Sequence, residues 1–314
     1  MVRPLRQLKW MPVLLASLLL SACGGGGDGA PALVTTSAPL QETGGPTAIG
    51  NTATDGINWF NFRRQQIGLP ATTRNAQIDD AALGHSNYQR QNGITHDQIQ
   101  GRPGFTGVSL FDRLTAAGYR FPQGGYTGEV IVRTGDSSGF NAAEDLVAAI
   151  YHRFVIFEPV FKEIGAAAST ASSGSIYITT NFAVNGLRPV LGTGNFVTYP
   201  FNGQQRVPTN FFSDSEEPDP VPDRNEVGYP ISVHADITST VNVQTFTVRP
   251  SGGNALPVRL LDRTSDPHMI ESNTTSAASI VPLSPLAPNT LYEVRFAGNV
   301  DGVSVDRSWS FRTQ

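Results

Sequence analysis

Apolar residues recur at helical spacing through the first half of the chain. Ile57, Phe60, Arg64 and Ile67 fit one helix, which Gly68-Leu69-Pro70 brings to an end. A second helix, about residues 79 to 91, places Ala81, His85 and Tyr88 on one face at i, i+4 and i+7. A third, about residues 141 to 154, carries Leu146, Ile150 and Phe154 with Val147 at its flank. Strands are predicted over Glu129 to Arg133 and over Gly174 to Ala183, the latter reading Ser-Ile-Tyr-Ile-Thr-Thr-Asn-Phe-Ala. Helices and strands thus alternate irregularly, which predicts an α+β domain built as an α/β/α sandwich over residues 51–191.

After residue 191 no helix is predicted. Short β-branched runs are separated by Pro, Gly, Asn and Asp, the spacing of an all-β sandwich. The candidate strands are Ile231 to Ile237, Val243 to Arg249, Pro257 to Asp262, Leu291 to Ala297 and Ser308 to Thr313. Residues 192–230 read as a linker, because Glu216-Glu217-Pro218-Asp219-Pro220-Val221-Pro222-Asp223 lacks ladder donors at its prolines. The acids of this run, with Glu226, suggest a solvated segment; as a calcium site it lacks a loop glycine at a recognised spacing. Residues 231–314 are expected to form the sandwich. Their run Pro288-Asn289-Thr290-Leu291-Tyr292 and the closing Trp309-Ser310-Phe311 resemble the last strands of bacterial Ig-like domains, with Trp309 and Phe311 inward.

Composition sharpens the setting. The chain has 15% charged residues with 32 Gly and 22 Pro, which suits a loop-rich exported protein. A net charge of −4, with Lys9 and Lys162 the two lysines, argues against nucleic acid as a partner. Arg3, Arg6 and Lys9 precede an apolar stretch from Trp10 to Leu20, about half the roughly 20 residues a spanning helix needs. Residues 1–22 therefore read as a signal peptide. Leu20-Ser21-Ala22-Cys23 resembles the lipobox of bacterial lipoproteins, which implies lipidation of Cys23 and attachment to a membrane. Gly24, rather than aspartate, follows it and suggests outer-membrane sorting. Residues 24–50, beginning Gly-Gly-Gly-Gly-Asp-Gly, form a flexible tether. Cys23 is the single cysteine, so the exported part must be held by its core without an internal disulfide.

The first domain holds His85, His96 and His152 together with Glu129. His96, Glu129 and His152 are 33 and 23 residues apart and match no short metal signature. By spacing alone they also read as an exposed turn histidine, a strand-start acid and a helix-end histidine. Gly135-Asp136-Ser137-Ser138-Gly139 is a literal G-x-S-x-G match between a strand and a helix. Its partners Asp145 and His152 would share one helix, so it reads as an ordinary loop with a polar N-cap.

The order of motifs is more telling than any one of them. Asn58, Arg63 and Gly68-Leu69 come first, followed by Ala81 with His85-Ser86, and then Gly93-Ile94-Thr95-His96. Asp112-Arg113-Leu114, Ala117-Gly118-Tyr119, Gly128-Glu129, Tyr151-His152-Arg153, Pro159, Ile164-Gly165 and Asn181-Phe182-Ala183 continue the series. Residues 51 to 185 in this order resemble the CAP superfamily of cysteine-rich secretory, antigen-five and pathogenesis-related proteins, in its bacterial form. The resemblance implies an α/β/α sandwich with a cleft, in which His96, Glu129 and His152 match cleft residues and His85 is an accessory position or a packing residue. Val130 stands where the family has asparagine, and the second acid of animal and plant members would fall near Ala149. Two imidazoles and a carboxylate can hold a divalent metal, zinc being the natural candidate. The expected function is a lipid-anchored envelope protein whose cleft binds a divalent metal or small ligand, or an envelope component, without catalysis. The alternatives are a metal-dependent, peptidase-like hydrolase and an adhesion protein using the Ig-like module.

Overall fold

The computed structural model describes residues 38–314. Cys23, the signal peptide and most of the tether lie outside them. The helix α1 (Thr52–Gln66) starts where the Asn51 side chain accepts from the Thr54 N–H. The short strand β1 (Thr73–Arg74) leads to α2 (Ala76–Asn92), capped by Asn75 and ended by Gly93 at φ +95°. A Ser109–Asp112 capping box opens α3 (Leu110–Ala116). Then follow β2 (Gly125–Thr134), α4 (Gly139–Ala148), α5 (Ile150–Ile156), β3 (Glu163–Thr170) and β4 (Ile176–Asn185). The sheet order is β1-β3-β4-β2, with β1 and β3 parallel and the other pairs antiparallel.

Register decides what each face of this sheet can do. Glu129 pairs with Asn181, and Gly128 with Phe182. On the Asn181 side, a Cβ on Gly165 would lie 2.3 Å from the Asp79 nitrogen, so α2 packs here against the backbone of β3. On the Phe182 side, a Cβ on Gly128 would meet Val155 of α5 at 2.6 Å. The sheet therefore has α2 and α3 on the Glu129 face and α1, α4 and α5 on the other. This is the expected α/β/α sandwich.

The helix predicted over residues 141 to 154 is two helices. Ala149 is extended (φ −68°, ψ 118°), and the N–H groups freed by the break are taken by Glu216. Its carboxylate accepts from Ile150 and Tyr151 at 2.8 Å each and from His152 at 3.1 Å.

The second half of the chain is β-rich, and residues 192–230 are part of it rather than a linker. They form β5 (Val197–Tyr199), β6 (Gln204–Val207), β7 (Asn210–Phe212) and β8 (Glu226–Gly228). The strands β9 (Ile231–His234), β10 (Val241–Pro250), β11 (Val258–Leu261), β12 (Ala277–Pro282), β13 (Leu291–Val300) and β14 (Val303–Thr313) follow. One sheet runs β10-β13-β14-β6, a second β11-β12-β9-β5, and β7 pairs with β8. One short helix, α6 (Pro267–Glu271), interrupts the strands, set by the Asp266 cap and Pro267. Trp309 and Phe311 are both inward, and Tyr292 Oη accepts the Ala287 N–H to fix the turn before β13.

The two halves share a continuous hydrophobic core. All seven residues of α5 are buried, as a helix covered on both sides must be. One side faces the CAP-like sheet and the other faces β9. Arg153 crosses this joint. It donates to Val147 O, Pro230 O and Ser232 Oγ, and its guanidinium lies 4.9 Å from the ring centres of both Tyr199 and Tyr229. His234, on β9, is buried against Phe154 and Phe157, with its Nε2 on Ser232 Oγ. His268 packs half-buried against Tyr151.

Candidate functional site

The loop after α2 folds His96 back over the Glu129 face of the sheet. His96 Nδ1 lies 2.9 Å from Glu129 Oε1, and Arg113 Nη2 donates to Glu129 Oε2 at 2.7 Å. Arg113, on α3, also donates from Nη1 to His96 O and Val108 O, so one guanidinium holds both the carboxylate and the loop that carries the imidazole. Burial opposes ionisation of Glu129, but Arg113, then His85 and His96, outweigh it. The carboxyl is held well below the ordinary carboxylate range.

An ionised Glu129 accepts only, so His96 Nδ1 carries a proton, and in the neutral ring Nε2 presents its lone pair. That Nε2 is buried and has no partner. His85 lies beside the pair, with Nε2 3.6 Å from Glu129 Oε1. It donates from Nε2 to Thr95 O at 2.8 Å and accepts at Nδ1 from Gln98 Nε2 at 3.0 Å. Burial pushes its pKa down to about 4. His85 is thus a neutral imidazole whose two nitrogens are spent on holding the loop.

His152 is elsewhere. It lies on α5, across the sheet from Glu129, and its side chain is fully buried. Its Nδ1 lies 2.9 Å from Glu216 Oε1, and its Nε2 has no partner. The expected set of His96, Glu129 and His152 is therefore corrected: register puts two on one face and α5 puts the third on the other. Nor does the His96 pair suit a divalent cation, since both Glu129 oxygens are engaged and one faces a fixed guanidinium charge. Among the described residues, no three His, Cys, Asp or Glu side chains are placed to hold a metal ion.

Two residues essential to this geometry escaped the sequence reading as site residues. Arg113 belongs to the run Asp112-Arg113-Leu114, and its buried position on a capped helix gives it a role. Glu216 carried no signal, because it lies 64 residues beyond His152 in a run whose other acids Glu217, Asp223 and Glu226 are exposed. The G-x-S-x-G run is the loop it was read to be. Ser138 caps α4 by accepting from Asn141 N, and Asp136 accepts the Ser138 N–H.

Residues 57–182 match the CAP family, the cysteine-rich secretory protein family, and so form a CAP domain. The chain is similar to an extracellular protein containing an SCP domain from Bacillus anthracis, at 24% identity over 46% of this chain and 44% of that one, with a TM-score of 0.36. It thus spans less than half the length of that relative. It is also similar to an outer surface protein from Borrelia burgdorferi, at 13% identity over 41% of this chain and 89% of that one, with a TM-score of 0.35. Venom allergen-like protein 4 of Schistosoma mansoni is a further neighbour, at 13% identity, 45% and 92% coverage and a TM-score of 0.28. No curated protein matches the chain.

Proposed function

We propose that this is an exported, lipid-anchored envelope protein whose CAP domain binds a small polar ligand at the His96–Glu129 pair without transforming it. The observation that carries this reading is the bare, buried Nε2 of His96, held in one tautomer by a carboxylate that Arg113 fixes in turn. An unmet acceptor of this kind costs about 1–3 kcal/mol when buried, which a ligand hydroxyl or amide N–H would offset. A hydrolytic dyad would need a nucleophilic hydroxyl or thiol on that nitrogen, and none is bonded to it. The export and anchor part of the reading rests on the residues before Gly24. No helix among the described residues is long and apolar enough to cross a membrane.

The test is ring-nitrogen NMR of the full chain, titrated with N-acetylglucosamine as a hydroxyl- and amide-bearing probe. The His96 Nε2 resonance should move toward hydrogen-bonded values, the probe should be recovered unchanged, and His96→Phe should abolish binding. Zinc titrated into the same sample should bind no more tightly to the wild type than to Glu129→Gln. Zinc binding that depends on Glu129, or a His96 signal indifferent to the probe, would sink the reading. Metabolic labelling with a fatty acid should be lost in Cys23→Ser.

A further inference from the structure

A groove of about 500 Å³ lies between the two halves of the molecule. One wall is the end of β2 with α4 and α5, and the other is β7 with the turn after it. Neither half contains it alone. At its floor is His152, fully buried, with Nδ1 committed to Glu216 and Nε2 without a partner. Because the Glu216 carboxylate accepts, the Nδ1 of His152 is the donor, and in the neutral ring Nε2 offers a lone pair to the groove.

The groove also carries two carboxylates, Asp145 and Glu144, beside the polar side chains of Arg133, Asn210 and Ser215. Among the described residues, no hydrogen bond or ion pair engages the Asp145 carboxylate, and the residue is exposed. Glu144 is nearby but occupied, accepting from Trp59 Nε1 at 2.6 Å and Arg63 Nε at 2.8 Å. Arg133 lines the groove too and is already engaged. The apolar surface comes from Leu146 on one wall and from Phe211 and Phe212 on the other, with Phe212 50% exposed. An exposed phenyl ring, an unengaged carboxylate and a buried ring nitrogen lining one groove define one kind of guest.

We propose that this interdomain groove binds a small organic amine, its ammonium group directed to His152 Nε2 and the Asp145 carboxylate and its apolar body on Phe211, Phe212 and Leu146. An ammonium supplies only donors, which is what two acceptors require. A carboxylate ligand would meet Asp145 and Glu144 as like charges. A neutral alcohol could satisfy one acceptor but not the charge.

The experiment compares 2-phenylethylamine, 2-phenylethanol and 3-phenylpropionate by calorimetry on the full chain, with His152 followed by ring-nitrogen NMR. The amine should bind at least about tenfold more tightly than the alcohol, as expected of a charge-assisted contact, and the carboxylate should not bind. Asp145→Asn should bring the amine down to the affinity of the alcohol. Phe212→Ser should weaken both several-fold and keep their ratio. Both positions are exposed, so these variants retain the fold. Equal binding of all three probes, no binding of the amine, or an Asp145→Asn variant with unchanged amine affinity would overturn the proposal. So would an amine that moves the His96 resonances and leaves His152 still. This outcome is separable from the reading of the His96 site, which lies across the sheet.

Discussion

The protein holds two histidine–glutamate pairs that are alike in their bonds and opposite in their construction. In each, a carboxylate oxygen sits 2.9 Å from Nδ1, and Nε2 is buried without a partner. The His96 pair is made entirely within the domain. Its carboxylate stands on β2, its imidazole on the loop after α2, and Arg113 on α3 ties the two. The His152 pair is completed from outside, since Glu216 belongs to the β-rich half. There the same carboxylate also serves as the cap of α5. One histidine is therefore oriented by its own domain, and the other only when the two halves are joined.

The largest test of this contrast is to part the halves. A fragment of residues 38–191 would lose Glu216, and it would also strip the cover from α5, all of whose residues are buried in the whole protein. Such an exposed apolar helix destabilises and invites aggregation. The fragment is expected to lack cooperative unfolding in urea, monitored by near-ultraviolet circular dichroism. A fragment that unfolds cooperatively with a native-like His152 ring signal would break the contrast.

A finer test leaves the chain whole. Glu216→Ala removes the carboxylate from three backbone N–H groups and from His152 at once. Glu129→Ala leaves the Arg113 guanidinium buried without its counter-charge. Losing one partner of a buried charged network costs about 3–5 kcal/mol, and both variants are expected in that range by chemical denaturation. They should differ in place. Amide exchange should rise over α5, β9 and β12 in the first variant, and over α3 and the loop carrying His96 in the second. The same exchange map in both would mean that the pairs are not independently supported.

Much of the scaffold of the His96 pair could be read from local signals. Helical spacing located α1 and α2, and the strand candidates fall on the cores of β2 and β4. The face on which Glu129 stands could not be read, because a shift of register by one residue would put it on the α5 side. The strand β3 was missed because Glu-Ile-Gly-Ala-Ala-Ala-Ser-Thr has small residues where α2 approaches, and small residues lack the β-branched signature. The break at Ala149 was invisible for a different reason. Alanine favours helix, and the group that stabilises the break arrives from residue 216. Proline-rich composition likewise hid β5 to β8, whose strands are three or four residues long, β6 pairing with β14 at the far end of the chain. Local pattern served where an element is held by its own sequence. It failed at Ala149, where the break is held by the other half.

The smallest effect separates the two sides by pH. Glu158 follows α5, and its Oε1 accepts from Val160 N and, across the joint, from Ile237 N, both at 3.1 Å. Burial pushes this carboxyl up to about 8, with Asp236 adding to the rise, while the two N–H groups and Arg64 oppose it. The folded value lies above the ordinary 4.5, so the native state keeps a proton that the unfolded chain has lost. The contribution of Glu158 to stability is fully present below about 4.5 and is lost as pH rises through about 8. His85, on the other side, runs the opposite way. Its folded value of about 4 lies below 6.5, so its contribution is present above 6.5 and is lost as pH falls through about 4. Glu158→Gln keeps a carbonyl oxygen for both N–H groups and cannot ionise. It should match the wild type at pH 4 and exceed it at pH 9 by on the order of 3 kcal/mol in urea denaturation. In amide exchange, alkali should loosen the joint of the wild type first and acid should loosen α2 first. If Glu158→Gln leaves the alkaline limb of the stability profile unchanged, the joint is not where alkali acts, and the two sides of the sheet are no longer distinguished by pH.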